Sequence, residues 1–244
     1  MDPSLTLLIP VFQDGDRVIP VITTLFHTVG HNLEIIAIYD SEDDPTYTTL
    51  QHLVTTYPNL RIVKNYWESG GLNAIKTGLK ETRSEYVGIW VSYHIDPMGK
   101  MNEMLELMDQ GYDMVSADRF DANAPHSRGG FIKKMVSRVG NSVVSNMLNV
   151  PVNDLSTSIK VFRKPCLEEI ETETTSGFGW SVIVEWTIKM AVNGNKIGQV
   201  AFGAENLNFL HSDSNFKLTK QVPAYFKWLQ LGFKNRKIIR SNYS

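Results

Sequence analysis

The stretch Leu5-Thr6-Leu7-Leu8-Ile9-Pro10-Val11-Phe12-Gln13-Asp14-Gly15-Asp16 decides the fold. A short apolar run is stopped by a proline and a polar loop, and the residues beyond it take helical spacing to about His31. That is strand, loop, helix, and the unit recurs. Leu33-Glu34-Ile35-Ile36-Ala37-Ile38-Tyr39 is a second apolar run; it stops at Asp40-Ser41-Glu42-Asp43-Asp44-Pro45, after which residues 48–57 read helical. Residues 60–65 predict a third strand, 70–82 a helix behind a Gly-Gly start, 86–91 a fourth strand, 98–110 a helix and 113–117 a fifth strand. This alternation predicts an α/β fold, an open, mostly parallel sheet covered by helices on both faces, with ligands bound at the carboxyl ends of the strands. Downstream the pattern is less regular: 131–148 reads as an amphipathic helix, 158–162 as strand-like, 180–192 as a helix and 196–201 as a late strand.

At 244 residues, with 42% apolar and 20% charged side chains, the chain suits one domain with or without a tail and can bury a sizeable core. A single cysteine, Cys166, excludes an internal disulfide and a Cys-rich zinc site, and favours a reducing compartment. Met1-Asp2-Pro3-Ser4 lacks the basic start of a signal peptide, and no apolar run is long enough to span a bilayer. A cytoplasmic protein is the expectation.

The net charge of −2 is unevenly spread. From Asn215 to Ser244 there is no acid, and Lys217, Lys220, Lys227, Lys234, Arg236, Lys237 and Arg240 give +7, which leaves the first 214 residues at −9. Residues 1–213 are therefore read as the domain and 214–244 as a basic tail. Phe216, Tyr225, Phe226, Trp228 and Phe233 are interleaved with the bases. That mixture suits a helix on an anionic membrane surface, and equally a terminal helix that packs its aromatic side on the domain. A nucleic-acid partner is not expected, because the body is acidic and no recognition motif is present.

In a parallel sheet the ends of the first two strands share one edge, and Asp40 there can accept hydrogen bonds from a ribose or a base N–H. Asp43 and Asp44 read more simply as a turn and cap before the next helix. Gly70-Gly71, after Asn65-Tyr66-Trp67-Glu68-Ser69, puts two glycines at a helix start, where free N–H groups favour phosphate; a plain tight turn is the competing reading.

Taken in order, these segments resemble the family 2 glycosyltransferases of GT-A fold, and among them the dolichyl- or polyprenyl-phosphate hexose synthases. Pro10-Val11-Phe12-Gln13-Asp14 is similar to the family's Pro-Val-Tyr-Asn-Glu, and Tyr39-Asp40 to its acidic strand end. Val115-Ser116-Ala117-Asp118-Arg119-Phe120 resembles its Val-Ser-Gly-x-Arg-Tyr, Asp154-Leu155-Ser156-Thr157-Ser158-Ile159-Lys160 its Asp-x-x-Ser-Gly-Phe-Lys, and Ser214-Asn215-Phe216-Lys217 its Ser-Lys-Phe-Lys. The resemblance implies a nucleotide-diphosphate hexose donor contacted by Pro10, Val11, Phe12, Asp14 and Asp40, with Gly70, Gly71, Asn73, Ser92 and Tyr93 completing that site. It implies that Arg119, Arg128 and Lys217 hold the phosphate of a lipid acceptor, and that Asp154 is the general base or the acceptor-orienting carboxylate of an inverting displacement.

The pattern breaks at the chemical motifs. Family members carry Asp-any-Asp at the end of the fourth strand to hold a divalent cation, Mg²⁺ or Mn²⁺. Here Ile89-Trp90-Val91-Ser92-Tyr93-His94-Ile95-Asp96-Pro97 puts Val91, Tyr93 and Ile95 at those positions, and none of the three is a hard oxygen ligand. His94 and Asp96, two apart, form a shifted candidate metal pair; the bland reading has His94 packed and Asp96 capping the next helix. Ser158-Ile159 replaces Ser-Gly-Phe, and Ala204-Glu205-Asn206-Leu207-Asn208 lacks the family's arginine. Two readings stand: a hexosyltransferase, peripheral on the inner face of a membrane, whose donor diphosphate draws positive charge from His94, Lys217 or the Gly70-Gly71 helix start; or a non-catalytic GT-A domain that binds a nucleotide, a sugar or a membrane partner.

Overall fold

The computed structural model describes residues 3–30, 32–92, 98–119, 145–202 and 218–244. In chain order the elements are β1 (Leu5–Pro10), α1 (Val18–Thr28), β2 (Leu33–Tyr39), α2 (Pro45–Thr56), β3 (Leu60–Lys64), α3 (Gly71–Glu81), β4 (Tyr86–Ile89), α4 (Lys100–Asp109), β5 (Met114–Asp118), β6 (Lys160–Arg163), α5 (Lys164–Glu168), α6 (Val182–Asn193), β7 (Ile197–Ala201), α7 (Leu218–Lys234) and α8 (Arg236–Asn242). The strands form one sheet in the order β3-β2-β1-β4-β6-β5-β7. All pairings are parallel except those of β6, which runs against both β4 and β5. The carboxyl ends of β1, β2, β3, β4, β5 and β7 therefore share one edge, and the amino end of β6 joins them there.

Side-chain alternation explains why helices cover both faces. Leu5, Leu7 and Ile9 of β1 point into the cluster built with α1, α2 and α4, and Leu8 into the cluster built with α3 and α6; Ile35 and Ala37 of β2 part from Ile36 and Ile38 in the same way. Helix α3 lies close on the sheet because residue 78 is glycine: a Cβ there would meet Leu8 at 2.7 Å. On the second face, α7 and α8 pack on the domain, burying Trp228 and Ile239 in the cluster that contains α6. Lys227 of α7 pairs with Glu173 at 2.9 Å, and Glu173 pairs with Lys189 of α6 at 2.8 Å.

Several boundaries differ from the expectation. Helix α2 starts three residues early, at Pro45, because the Asp44 carboxylate accepts the Thr46 N–H at 2.8 Å and proline suits the first helical position. A short 3₁₀ turn, Gly15–Arg17, precedes α1, and α1 ends at Thr28. Strand β4 ends at Ile89, although Trp90 N–H still donates to Leu8 O at 3.0 Å. Of the helix expected at 131–148, residues 145–148 are helical and the rest lies outside the described residues.

Candidate active site

The loop after β1 is built on the start of α2. Gln13, at φ 54°, donates its backbone N–H to Asp44 Oδ2 at 2.7 Å, and the N–H groups of Asp14 and Gly15 converge on Thr46 Oγ1 at 2.8 and 2.9 Å. Asp44, read from the sequence as a cap, thus caps α2 and also shapes this loop. Asp14 accepts the Phe12 N–H at 3.0 Å and a hydrogen bond from Ser92, which ties the end of β1 to the end of β4. Burial raises the Asp14 carboxyl above its ordinary value; the Phe12 N–H, Ser92 and Arg17 partly offset this, while Asp44 adds to it. Pro10 closes β1, Val11 is buried with its N–H on Ile38 O, and Phe12 is 55% exposed at the mouth of the edge.

Asp40 uses both carboxylate oxygens on the glycine loop. Oδ1 accepts from Asn65 Nδ2 at 2.8 Å and Oδ2 from the Gly70 N–H at 3.1 Å. Gly70 sits at φ 138°, a backbone state that side-chain-bearing residues rarely adopt. Asn73 Nδ2 donates to Glu68 O at 2.7 Å, so Asn73 also fastens this loop, and Gly71 begins α3 beneath the Trp180 ring, which a Cβ would meet at 3.5 Å. These predicted donor residues therefore lie along one edge, with Asp40 and Asn73 bonded within its loops.

On the other side of β4, Arg119 follows β5 and meets Asp154. Arg119 Nε donates to Asp154 Oδ2 at 2.6 Å and Nη2 to Oδ1 at 3.1 Å. Oδ1 also accepts the Ser156 hydroxyl at 2.9 Å and the N–H groups of Ser156 and Thr157 at 3.0 and 3.1 Å. Asp154 has no solvent exposure, while the Arg119 side chain is 32% exposed and is the member of the pair that a ligand can reach. Burial works against the ionised carboxyl, but Arg119 first, then Lys160 and Ser156, outweigh it and hold Asp154 below its usual value. Tyr225 of α7 stands within electrostatic reach of both; burial pushes its hydroxyl up to about 12, with Arg119 opposing and Asp154 reinforcing the rise.

Tyr93, His94, Asp96, Arg128 and Lys217 lie outside the described residues, as does the 204–208 segment. Among the described residues no three His, Cys, Asp or Glu side chains converge, Val91 is buried apolar, and Asp40 is bonded within its loop. The described residues by themselves supply no cation site, and the segment in which His94 and Asp96 form the candidate pair lies outside them. Sequence reasoning gave no role to Ser116, Ser156, Lys160 or Tyr225. Two signals were available for Lys160: it stands at the lysine of the Asp-x-x-Ser-Gly-Phe-Lys-like segment, and it is a lysine inside the apolar run Ile159-Lys160-Val161-Phe162.

The sequence pattern of Glycosyl transferase family 2 matches residues 6–171, and the chain belongs to that family. Dolichol-phosphate mannosyltransferase of Pyrococcus furiosus is 20% identical over 230 residues, covering 92% of this chain and 64% of that protein, so the chain spans less than two thirds of that relative. Polyprenol monophosphomannose synthase of Mycolicibacterium smegmatis is 20% identical over 199 residues, covering 80% of this chain and 74% of the relative. Among solved structures, glucosyl-3-phosphoglycerate synthase from Mycobacterium tuberculosis with Mg²⁺ and UDP superposes with a TM-score of 0.68 at 15% identity, covering 95% of this chain and 80% of the other. A second structure of that enzyme holds Mn²⁺, UDP and glucosyl-3-phosphoglycerate, with a TM-score of 0.65. These likenesses establish the GT-A fold.

Proposed function

We propose that this protein transfers a hexose from a nucleotide-diphosphate donor to a polyprenyl-phosphate-type lipid with inversion at the anomeric carbon. The observation that carries the reading is the Arg119–Asp154 pair, set at the same sheet edge as the Pro10–Asp14 loop, Asp40 and the Gly70-Gly71 helix start. An acceptor phosphate oxygen attacks the anomeric carbon and the nucleoside diphosphate leaves. A phosphate is already ionised at neutral pH, and a carboxyl held low by an arginine is a weak base, so Asp154 orients Arg119 rather than taking a proton. Arg119, whose Nε and Nη2 are engaged by Asp154 and Ser156, brings its positive charge to the phosphate, joined by Arg128 and Lys217. The donor edge supplies the free N–H groups of the α3 start to the diphosphate.

The lipid acceptor accords with the names of the relatives and with α7 and α8. No described helix is long and apolar enough to cross a membrane. The outer side of α7 and α8 exposes Phe226, Phe233 and Ile238 among Lys227, Lys234, Arg236, Lys237 and Arg240. In this reading the 214–244 tail seats the enzyme peripherally on the anionic inner face of a membrane.

The test presents the protein with UDP-, GDP-, dTDP- and CDP-hexoses and farnesyl phosphate, each with Mn²⁺, Mg²⁺ or EDTA, and looks for glycosyl phospholipid by mass spectrometry. Product that Asp154→Asn abolishes supports the reading, and the EDTA arm decides whether His94 and Asp96 hold a needed cation. Donor binding without product in any arm overturns it in favour of a non-catalytic nucleotide-binding domain.

A further inference from the structure

Lys160 opens β6 and has no solvent exposure. Its register partners are Ile89 on β4 and Ser116 on β5, so it is wedged where those two strands reach the carboxyl edge. Its Nζ donates to Ser116 Oγ at 2.6 Å and to the Asp154 backbone carbonyl at 3.3 Å. Asp154 is therefore held twice: Arg119 grips its carboxylate and Lys160 its main chain. A buried ammonium is strongly disfavoured unless its surroundings compensate, and strand interiors do not call for one.

We propose that Lys160 is a positioning residue of the acceptor site: its ammonium fastens the main chain of Asp154 to the end of β5 and so sets the angle at which the Arg119–Asp154 pair meets a phosphate. The proposal rests on the transferase reading for the identity of that phosphate, but its hold on the pair is independent of it. The charged groups that act on Lys160 are Asp154 from the 151–159 segment and Arg119 from the end of β5. Asp118, further along β5, is engaged by Asn153 Nδ2 at 2.8 Å; β4 places the uncharged Ile89 opposite; and Tyr225 of α7 acts on Arg119 and Asp154. Burial brings the Lys160 amine down to about 7, with Asp154 opposing and Arg119 adding to the fall. The neutral amine keeps N–H groups but loses the charge that strengthens them. The hold on Asp154 thus slackens, and the site loses a positive charge, as pH rises through neutrality.

The test follows the Arg119 Nε–H signal by ¹⁵N NMR from pH 6 to pH 8.5, together with the binding of farnesyl phosphate. In the wild type the Arg119 signal moves with a midpoint near neutrality and farnesyl phosphate binds several-fold more weakly at the alkaline end; in Lys160→Met the signal is flat and binding is weak throughout. Ser116→Ala, a smaller change should Lys160→Met fail to fold, removes one acceptor from the ammonium and moves the midpoint to lower pH. An Arg119 signal and farnesyl phosphate binding that Lys160→Met leaves as in the wild type, or that Ser116→Ala leaves unmoved should Lys160→Met fail to fold, overturn the proposal; a flat wild-type signal overturns the pH dependence alone. Wild type that binds no farnesyl phosphate at any pH counts against the acceptor reading, and the Arg119 signal still decides the role of Lys160.

Discussion

Arg119 and Asp154, 35 residues apart in sequence, meet in a two-point ion pair in which the aspartate side chain is wholly buried and the arginine side chain is one-third exposed. The asymmetry matters because removing one partner of a pair costs most when the charge left behind cannot reach water.

Arg119→Ala is expected to destabilise the fold by about 3–5 kcal/mol, because it strands the Asp154 carboxylate. Asp154→Asn costs less, since Arg119 can be hydrated and an Asn oxygen still accepts the Ser156 and Thr157 N–H groups. Urea unfolding of the two variants measures the order, and a larger loss in Asp154→Asn contradicts it.

The same pair makes stability fall in acid. The Asp154 carboxyl titrates lower folded than unfolded, so its contribution is complete above the unfolded value, about 3.9, and is lost as pH drops through the folded value. Urea midpoints measured from pH 6 down to pH 2 should fall more steeply for wild type than for Asp154→Asn; parallel curves would count against the pair as the source.

Asp40→Ala removes acceptors from Asn65 Nδ2 and the Gly70 N–H, and is expected to cost about 1–3 kcal/mol of stability. Its larger effect should be on nucleotide binding, through a loosened α3 start. A thermal shift with UDP-glucose that survives Asp40→Ala undiminished would separate this loop from the donor site.

The two sides of α7 are separable by mutation. Trp228, 2% exposed, should cost about 3–5 kcal/mol when cut to alanine. Phe226, 59% exposed, should stay within about 0.5 kcal/mol of wild type in Phe226→Ser. Paired with Phe233→Ser, that change should reduce co-sedimentation with vesicles containing phosphatidylserine; unchanged sedimentation removes the membrane role from this face.

Strands were legible wherever apolar runs were bounded by turns, as in β1 and β2, because burial on both faces writes a continuous apolar signal. Helix α2 began earlier than its periodicity showed, since Asp44 and Pro45 set its start and neither is apolar. The direction of β6 was not legible: a four-residue strand carries no mark of orientation, and what lies on either side of it is fixed by contacts distant in sequence. Arg119 and Asp154 were each visible through resemblance, but their pairing was not, because nothing local joins residues so far apart. For the tail, amphipathicity showed that one side is apolar; the structure shows that Trp228 and Ile239 face the domain while Phe226 and Ile238 face out.

Strand β6, running against its neighbours, also has a consequence in time. The β3-β2-β1-β4 half is complete once residue 89 has been made, yet the flank of β4 has no mate until residues 160–163 arrive. A growing chain therefore carries an open, apolar ribbon through the synthesis of some seventy residues, the kind of exposed border on which nascent chains stick to one another. Because closing that gap joins β4 to β5, the half that carries Asp40 and the Gly70 loop and the half that carries Arg119 become one body at the moment Lys160 is seated.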